Sequence, residues 1–234
     1  MINKNNFKED LAKENIILTD QMLEQFDLYF KLLEKYNKVM DLTNVIDEDE
    51  VYDRHFYNSL TIAFDFDFNN LHLCDVGAGA GFPSIPLKIC FPNMKLTIID
   101  PLSKRMDFLK IVIEQLNLQD VDILYLRAED ASLKYQEQFD VVSARAVAPL
   151  NILVEITSQL VKVNGYLITM KGKKAQDELD VSKNAIETCK LHLEKQVTVG
   201  ESTNLYFKKM AKISNKYPRN YGQIKRRPLW NLQE

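Results

Sequence analysis

Residues 75–83, DVGAGAGFP, contain three of the seven glycines in this 234-residue chain, at positions 77, 79 and 81. The apolar segment LHLCDV (71–76) comes directly before this cluster and predicts a buried strand. The residues after it, from about Phe82 to Phe91, predict a helix. A glycine-rich turn between a strand and a helix is the ligand-binding loop of doubly wound α/β folds. This stretch therefore decides the fold class.

The remainder of the chain repeats the alternation of strand and helix. Strands that alternate with helices are typical of a parallel sheet, so we predict an α/β protein with a mostly parallel seven-stranded sheet. The predicted strands are 71–76, 95–100, 121–126, 139–144, 165–171, 191–199 and 204–213. The predicted helices of this region are 82–91, 103–117, 149–163 and one that begins near residue 175.

The first 65 residues contain neither glycine nor proline and predict helices. Apolar residues at positions 22, 26, 29, 33, 36 and 40 form one helical stripe, for which Thr19 or Asp20 is the expected N-cap. A second amphipathic segment runs from about residue 48 to residue 64. We expect three successive parts: an N-terminal helical extension (1–65), a ligand-binding α/β domain (66–213) and a basic C-terminal segment (214–234).

The charge of the chain is distributed unevenly. The net charge is −3, yet residues 202–233 contain eight lysines and arginines and no acidic residue. Such a segment favours contact with a polyanion, or is a solvated tail without a specific partner. No apolar run approaches the roughly 18 residues that cross a bilayer. The three separated cysteines, Cys74, Cys90 and Cys189, fit a reducing compartment, so we expect a cytoplasmic protein without membrane contact or a metal site.

The spacing of the glycines favours one class of cofactor. Dinucleotide loops read G-x-G-x-x-G, whereas this loop reads G-x-G-x-G and continues with Phe82. A carboxylate at Asp75 would repel a diphosphate but not the cationic sulfonium of S-adenosylmethionine. Asp100, 19 positions after Gly81, is expected to accept hydrogen bonds from ribose hydroxyls. The alternatives are local roles, in which Asp75 bonds the loop and Asp100 caps the next helix or faces solvent as a loop acid.

An ordered set of segments spans nearly the whole chain: DLTNV (41–45), RHFYNSL (54–60), LCDVGAGAGFPSIPLKI (73–89), IIDPLSKRMDFLK (98–110), RAED (127–130), VVSARAVAPL (141–150), MKG (170–172) and YPRNYGQIKRRPL (217–229). Together these segments resemble one family, the GidB-type ribosomal RNA small subunit methyltransferases G. The chain departs from the family pattern at Asn58, Ser84 and Pro101.

The resemblance implies a Rossmann-like class I methyltransferase fold with an N-terminal helical extension. It also implies transfer of a methyl group from S-adenosylmethionine to N7 of a guanine in the 530 loop of 16S rRNA, at position 527 in the family. The substrate is then 16S rRNA, the small ribosomal subunit or an assembly intermediate. The expected cofactor contacts are Gly77, Phe82, Ala128, Glu129 and Arg145 from the resemblance, and Gly79 and Asp100 from the loop pattern.

The acceptor atom is suggested by motifs that the chain lacks. The chain contains no Pro-Pro pair of the kind used to methylate exocyclic amines, and no cysteine in a loop where it would attack a pyrimidine. Guanine N7 has a lone pair in the neutral base and needs neither a general base nor a nucleophile, so we assign no certain catalytic residue. Arg145 and Lys171 end two strands and are positioning candidates that we expect to bind carboxylate or phosphate; the alternatives are a surface salt bridge for Arg145 and a solvated strand-end lysine for Lys171.

Several cations are candidates for RNA binding. Lys104 and Arg105 open a helix, where a positive charge opposes the helix dipole and a phosphate partner would offset that cost. Tyr217 and Tyr221 lie among the C-terminal cations and suit either stacking on bases or packing onto the domain. The candidates for phosphate contact are Lys104, Arg105, Arg219, Lys225, Arg226 and Arg227.

Two further function classes stay open from the residues. The fold also suits a dehydrogenase that uses NAD, which binding of NADH rather than S-adenosylhomocysteine would indicate. A non-catalytic RNA-binding module with a retained cofactor fold is the other, and failure to transfer a methyl group to any ribosomal substrate would indicate it. We expect a monomer, because the sequence contains no coiled-coil pattern or extended exposed seam.

Overall fold

The structure, a computed structural model, describes residues 2–229. In that part of the chain seven strands form one sheet in the order β3-β2-β1-β4-β5-β7-β6, with these bounds: β1 (His72–Val76), β2 (Lys95–Ile99), β3 (Val121–Leu124), β4 (Phe139–Arg145), β5 (Val161–Lys171), β6 (Leu191–Val199) and β7 (Ser202–Lys209). The pairs β1/β4, β2/β3 and β4/β5 are parallel, whereas β7 is antiparallel to both β5 and β6. The predicted α/β fold with a mostly parallel seven-stranded sheet is confirmed.

Helices precede and connect these strands. A π-helix (Tyr52–Tyr57) and a 3-10 turn (Thr61–Ala63) interrupt the second predicted N-terminal segment. No helix in residues 2–229 is long and apolar enough to span a membrane. The α-helices are α1 (Phe7–Lys13), α2 (Asp20–Met40), α3 (Glu48–Val51), α4 (Asn58–Leu60), α5 (Ser84–Cys90), α6 (Ser103–Gln115), α7 (Ala128–Lys134), α8 (Leu150–Thr157), α9 (Ala175–Val181), α10 (Lys183–Thr188) and α11 (Tyr221–Arg226).

The described chain packs as two compact units. The first contains residues 2–71 and 78–125, and the second contains residues 72–77 and 126–229. The chain passes from the second unit to the first between Gly77 and Ala78, inside the glycine cluster. The earlier division into residues 1–65, 66–213 and 214–234 stays a prediction.

The first unit is organised around α2. Thr19 is its N-cap, because the Oγ1 atom accepts a hydrogen bond from the Met22 N–H at 3.2 Å, as one of the two sequence expectations states. Phe26 and Tyr29 of the predicted apolar stripe are buried completely. The Phe26 ring lies edge-on to the ring of Phe7 with centroids 5.0 Å apart. The stripe therefore forms the core that joins α1 to α2.

In the second unit the C-terminal segment is fixed to α8. Arg219 donates two hydrogen bonds from its guanidinium to the buried carboxylate of Glu155, at 2.8 and 2.6 Å, and its main-chain N–H donates a third at 3.0 Å. Gln159 donates to the carbonyl oxygen of Tyr217 at 3.0 Å, and Ile224 is fully buried. Residues 230–234 of the predicted basic segment lie outside the described residues.

The contact between Glu155 and Arg219 gives a testable consequence for stability. Arg219→Ala removes all the side-chain donors of a carboxylate that solvent does not reach. Removal of one partner of a buried pair is strongly destabilising, and because Arg219 is partly exposed we expect the lower end, a loss of about 3 kcal/mol in the free energy of unfolding. Urea denaturation measures it.

The matched control is Arg226→Ala in the exposed helix α11, where the expected change is below about 0.5 kcal/mol. Equal losses for Arg219→Ala and Arg226→Ala would contradict the assigned role of the buried pair.

Candidate functional site

The glycine cluster links β1 to α5 through a main chain that only glycine adopts readily. Gly77, Gly79 and Gly81 have φ angles of +69°, +60° and +104°. Residues with a Cβ atom rarely adopt positive φ angles, because the Cβ atom then approaches the following carbonyl oxygen. Glycines are concentrated here because the main chain has a positive φ angle at each of positions 77, 79 and 81.

The three glycines differ in what surrounds them. A Cβ atom on Gly77 would lie 2.7 Å from Cγ2 of Val147, within the second unit. In the first unit, a Cβ atom on Gly81 would lie 2.6 Å from Cγ1 of Ile85 and 2.7 Å from the hydroxyl of Tyr29. At Gly79 a Cβ atom would meet nothing within 4 Å. Gly77 and Gly81 are thus required by packing, whereas Gly79 exposes its main chain to open space.

Within the first unit, N-terminal helices hold the second half of the loop. The Tyr29 hydroxyl donates a hydrogen bond to the carbonyl oxygen of Ala80 at 2.5 Å. The ring of Phe82 is stacked on the imidazole of His55, with centroids 4.5 Å apart and planes 19° apart. The Nε2 atom of His55 lies 2.8 Å from Oγ1 of Thr43. Phe82, a predicted cofactor contact, is therefore positioned by residues of the DLTNV and RHFYNSL segments.

Sequence reasoning did not identify Tyr29 as a contact of the loop. Its only signal was membership of an apolar stripe, which predicts burial but not the position of its hydroxyl. The hydroxyl of a buried tyrosine usually has a hydrogen-bond partner, but the sequence does not indicate which group that partner is.

Asp100 follows β2 and is 1% exposed. Its Oδ1 atom accepts a hydrogen bond from the Leu102 N–H at 2.8 Å, but Asp100 does not cap helix α6, whose N-cap residue is Leu102. Its Oδ2 atom lies 3.7 Å from the guanidinium of Arg105. Arg105, a predicted RNA contact, thus has an acidic neighbour, whereas Lys104 is exposed and makes no ion pair within the described chain.

In the second unit Asp75 lies beneath the loop rather than at its mouth. Its side chain is completely buried in β1, and the Ser143 hydroxyl of β4 donates a hydrogen bond to its Oδ1 atom at 2.8 Å. The Ser143 hydroxyl therefore fixes the Asp75 side chain to the neighbouring strand.

Arg145 and Lys171 lie at the same edge of the sheet. Arg145 is the last residue of β4 and Lys171 is the last residue of β5. These strands are parallel to β1, and Asp75 is in register with Ser143, so Gly77 emerges at this edge as well. The structure thus brings together three of the predicted site residues of the second unit.

The remaining predicted contacts of this unit, Ala128 and Glu129, begin helix α7. Ala128 is buried, and the Glu129 carboxylate lies 3.9 Å from the guanidinium of Arg127. The RAED segment was identified from the family resemblance, but the helix that it starts was not predicted.

Lys171 has partners that the sequence did not reveal. Its ammonium group donates a hydrogen bond to the carbonyl oxygen of Ala148 and lies 2.8 Å from the carboxylate of Glu178. Lys171 is thus not the solvated strand-end lysine of the alternative, and its binding of a ligand carboxylate or phosphate stays a prediction. The Lys171 side chain is only 8% exposed, and its ammonium group binds a main-chain carbonyl oxygen and a carboxylate of the same chain.

The three cysteines offer no nucleophile. Cys74 and Cys189 are buried and Cys90 is partly buried. Burial raises the pKa of all three thiols, to about 12 for Cys189. A thiol with a raised pKa stays protonated at neutral pH, and only the thiolate attacks carbon.

The C-terminal cations divide into two groups. Arg219 is bound to Glu155, so its guanidinium holds the segment in place. Lys225, Arg226 and Arg227 are exposed and make no ion pair within residues 2–229. Tyr221 is exposed, whereas Tyr217 is partly buried.

The contrast between Gly79 and Gly81 predicts two different mutant phenotypes. Gly79→Ala places a methyl group in open space and should destabilise the protein only through its positive φ angle, by about 1 kcal/mol. If a ligand lies against this main chain, the same methyl group should weaken binding of S-adenosylhomocysteine roughly tenfold. Calorimetry of ligand binding and thermal unfolding measure the two effects.

Gly81→Ala should instead lower the free energy of unfolding by about 3 kcal/mol, because strain and overpacking add. Unchanged ligand affinity in a folded Gly79→Ala variant would show that no ligand approaches Gly79.

Solved structures similar to this chain have the same fold. A methyltransferase from Aquifex aeolicus, described as SAM dependent, matches with a TM-score of 0.52 and 18% identity, over 76% of this chain and 95% of that one. At this identity the likeness supports the class I methyltransferase fold.

Relatives of similar length identify the family. A protein of Lactobacillus helveticus is 45% identical over 97% of this chain and 100% of its own length, and one of Bacillus cytotoxicus is 44% identical over 97% and 99%. Both are named ribosomal RNA small subunit methyltransferase G. The family model described as "GidB: rRNA small subunit methyltransferase G" matches residues 22–206. With the fold and glycine loop described above, these matches show that the chain belongs to the GidB family of S-adenosylmethionine-dependent ribosomal RNA methyltransferases.

Proposed function

We propose that this protein methylates N7 of a guanine in the 530 loop of 16S rRNA. Family membership supports a methyltransferase of small-subunit ribosomal RNA. The observation that carries the choice of N7 is the raised pKa of all three thiols, of which Cys74 and Cys189 are buried and Cys90 is partly buried, so none is suited to covalent attack on a pyrimidine. Guanine N7 accepts a methyl group with its own lone pair, so the protein has only to position the two reactants.

The residues present fit S-adenosylmethionine. The open space at Gly79 admits a ligand against the main chain, and a buried acid, Asp100, follows β2 where a ribose-binding acid is expected. When bound, the cofactor supplies a methyl group on a cationic sulfonium. We propose these holding residues: Gly79, Phe82 and Asp100 in the first unit, and Gly77, Ala128, Glu129 and Arg145 in the second.

The protein's own charges suit this ligand better than a dinucleotide. Asp75 lies below Gly77, and its carboxylate in a buried position disfavours a phosphate nearby. The guanidinium of Arg145 is suited to a ligand carboxylate, with which arginine forms strong paired hydrogen bonds. Lys171 is not among the proposed cofactor or guanine contacts, since its ammonium group is bound to Ala148 and Glu178.

The position of the methyl group tests the proposed function directly. Purified protein, labelled S-adenosylmethionine and 16S rRNA are incubated in three forms: naked RNA, the 30S subunit and an assembly intermediate. Mass spectrometry of the digested RNA should find N7-methylguanosine in the 530 loop. A methyl group on an exocyclic amine or a pyrimidine carbon would refute the choice of N7. Transfer to none of the three substrates would favour a non-catalytic RNA-binding protein.

We further propose that the exposed C-terminal cations contact the RNA backbone. Lys225, Arg226 and Arg227 extend from a segment that Arg219 and Ile224 fix to the second unit, so their charges are held on a folded support. Lys104 and Arg105 of the first unit are proposed as further phosphate contacts. Arg219 is left out of this set, because its guanidinium binds Glu155.

Neutralisation of this cluster should change the salt dependence of RNA binding. For the variant Lys225→Ala/Arg226→Ala/Arg227→Ala we expect weaker binding and a slope of log K against log salt that is smaller by about 2, since each phosphate contact with single-stranded RNA contributes about 0.7. Affinity for S-adenosylhomocysteine should not change. Filter binding at several salt concentrations measures the slope.

The control replaces Lys8 and Lys13, which pair with Asp20 and Asp10 in the N-terminal helices, by alanine. A slope that falls equally in both variants would indicate a general effect of charge rather than a contact.

A further inference from the structure

The loop that follows β4 is held in an uncommon conformation. Ala146, directly after Arg145, has a φ angle of +57°, a region that residues with a side chain rarely adopt. The next residue, Val147, lies against Gly77, where an added Cβ atom would come within 2.7 Å of Cγ2. The loop of residues 146–149 therefore packs on the first glycine of the cofactor loop inside the second unit.

Two charged side chains bind main-chain groups at the C-terminal end of this loop, on either side of Pro149. Lys171 donates a hydrogen bond from Nζ to the carbonyl oxygen of Ala148 at 2.8 Å. The Oε2 atom of Glu178, from α9, accepts a hydrogen bond from the Leu150 N–H at 2.7 Å. The same Oε2 atom lies 2.8 Å from Nζ of Lys171. We call these two side chains the β5 clamp.

The two charges of the β5 clamp attract each other in a largely buried position. The Lys171 side chain is 8% exposed and that of Glu178 is 30% exposed, so water screens their attraction less than it would on the surface. If either side chain is removed, the other charge stays in a mostly buried position without its partner. The ammonium group and the carboxylate also satisfy main-chain groups on either side of Pro149, so the C-terminal end of the loop stays in place while both bonds persist.

We propose that Lys171 and Glu178 are positioning residues that keep the 146–149 loop against Gly77 and thereby set the affinity for S-adenosylmethionine and the rate of methyl transfer. The inference rests on the proposed function, because it takes Gly77 and Arg145 as cofactor contacts. Neither residue of the clamp has to touch the cofactor or the guanine. Glu178 in particular lies in a helix outside the loops where sequence reasoning placed the site.

The chain provides a matched control at the other end of β5. Lys209 is fully buried, donates from Nζ to the carbonyl oxygen of Val161 at 2.8 Å and lies 3.2 Å from the carboxylate of Glu137. Its chemistry is that of Lys171, a buried ammonium group on a carbonyl oxygen and a carboxylate. Val161 is the first residue of β5 and Lys171 is the last, so the two lysines act at opposite ends of the strand.

The experiment compares Lys171→Met, Glu178→Gln, the double variant and Lys209→Met in the full chain. Hydrogen exchange of the peptide that spans residues 146–152 is measured without ligand, and calorimetry gives the dissociation constant of S-adenosylhomocysteine. Turnover is measured on whichever ribosomal substrate the wild-type protein methylates, and thermal unfolding reports stability. Glu178→Gln keeps an oxygen that can accept from Leu150, so it removes the charge with the least risk to folding.

We expect faster exchange of the loop peptide and at least about tenfold weaker binding of S-adenosylhomocysteine in Lys171→Met and Glu178→Gln. The double variant should lose less than the product of the two single losses, because the residues act on one loop. Lys209→Met should lower the unfolding temperature but change the dissociation constant less than twofold.

Two results would overturn the proposal. One is unchanged loop exchange and affinity in a folded Glu178→Gln variant. The other is an affinity loss in Lys209→Met that equals the loss in Lys171→Met at the same thermal stability. These outcomes are distinct from failure of the proposed function, in which the wild-type protein methylates no guanine N7 although loop exchange still responds to the clamp variants.

Discussion

The absence of side chains at Gly77 and Gly81 is the constraint on which the rest of the site depends. In the second unit, Val147 occupies the space beside Gly77, and in the first unit Ile85 and the Tyr29 hydroxyl occupy the space beside Gly81. With these two positions filled by neighbouring residues, the loop is packed on both sides of Gly79. Of the three glycines, only Gly79 has open space beside its Cα atom, and for this reason we propose it as the position where a ligand approaches the main chain.

Much of the fold was predictable because its strands are short apolar runs bounded by clear breaks. All seven predicted strands are present, and the N-cap Thr19 follows from its side-chain chemistry. The predicted helix 149–163 was too long, since the apolar pattern continues without interruption into Val161, where β5 begins. Helix α7 was missed because RAEDASLK contains few apolar residues to mark a buried face.

For the candidate site, the sequence predicted the strand ends at which its proposed residues lie. The glycine loop, Arg145 and Lys171 follow from the rule that parallel strands place their carboxyl ends together. The partners of those residues were not predictable. Glu178 reaches Lys171 from a later helix and Tyr29 reaches Ala80 from an earlier one, and no spacing in the sequence indicates contacts over such separations. Asp75 was expected at the mouth of the loop, but the hydroxyl of Ser143, on another strand, fixes it beneath.

The buried pair of Glu155 and Arg219 makes the basic C-terminus part of the folded core. A chain shortened before Arg219 would lose not only positive charge but also the donors of a carboxylate that no water reaches. Truncation is therefore a poor way to separate substrate recognition from folding in this protein. A frameshift or stop codon that removes Arg219 and the residues after it would act first on the abundance of the protein in the cell, and only then on the proposed contact with RNA.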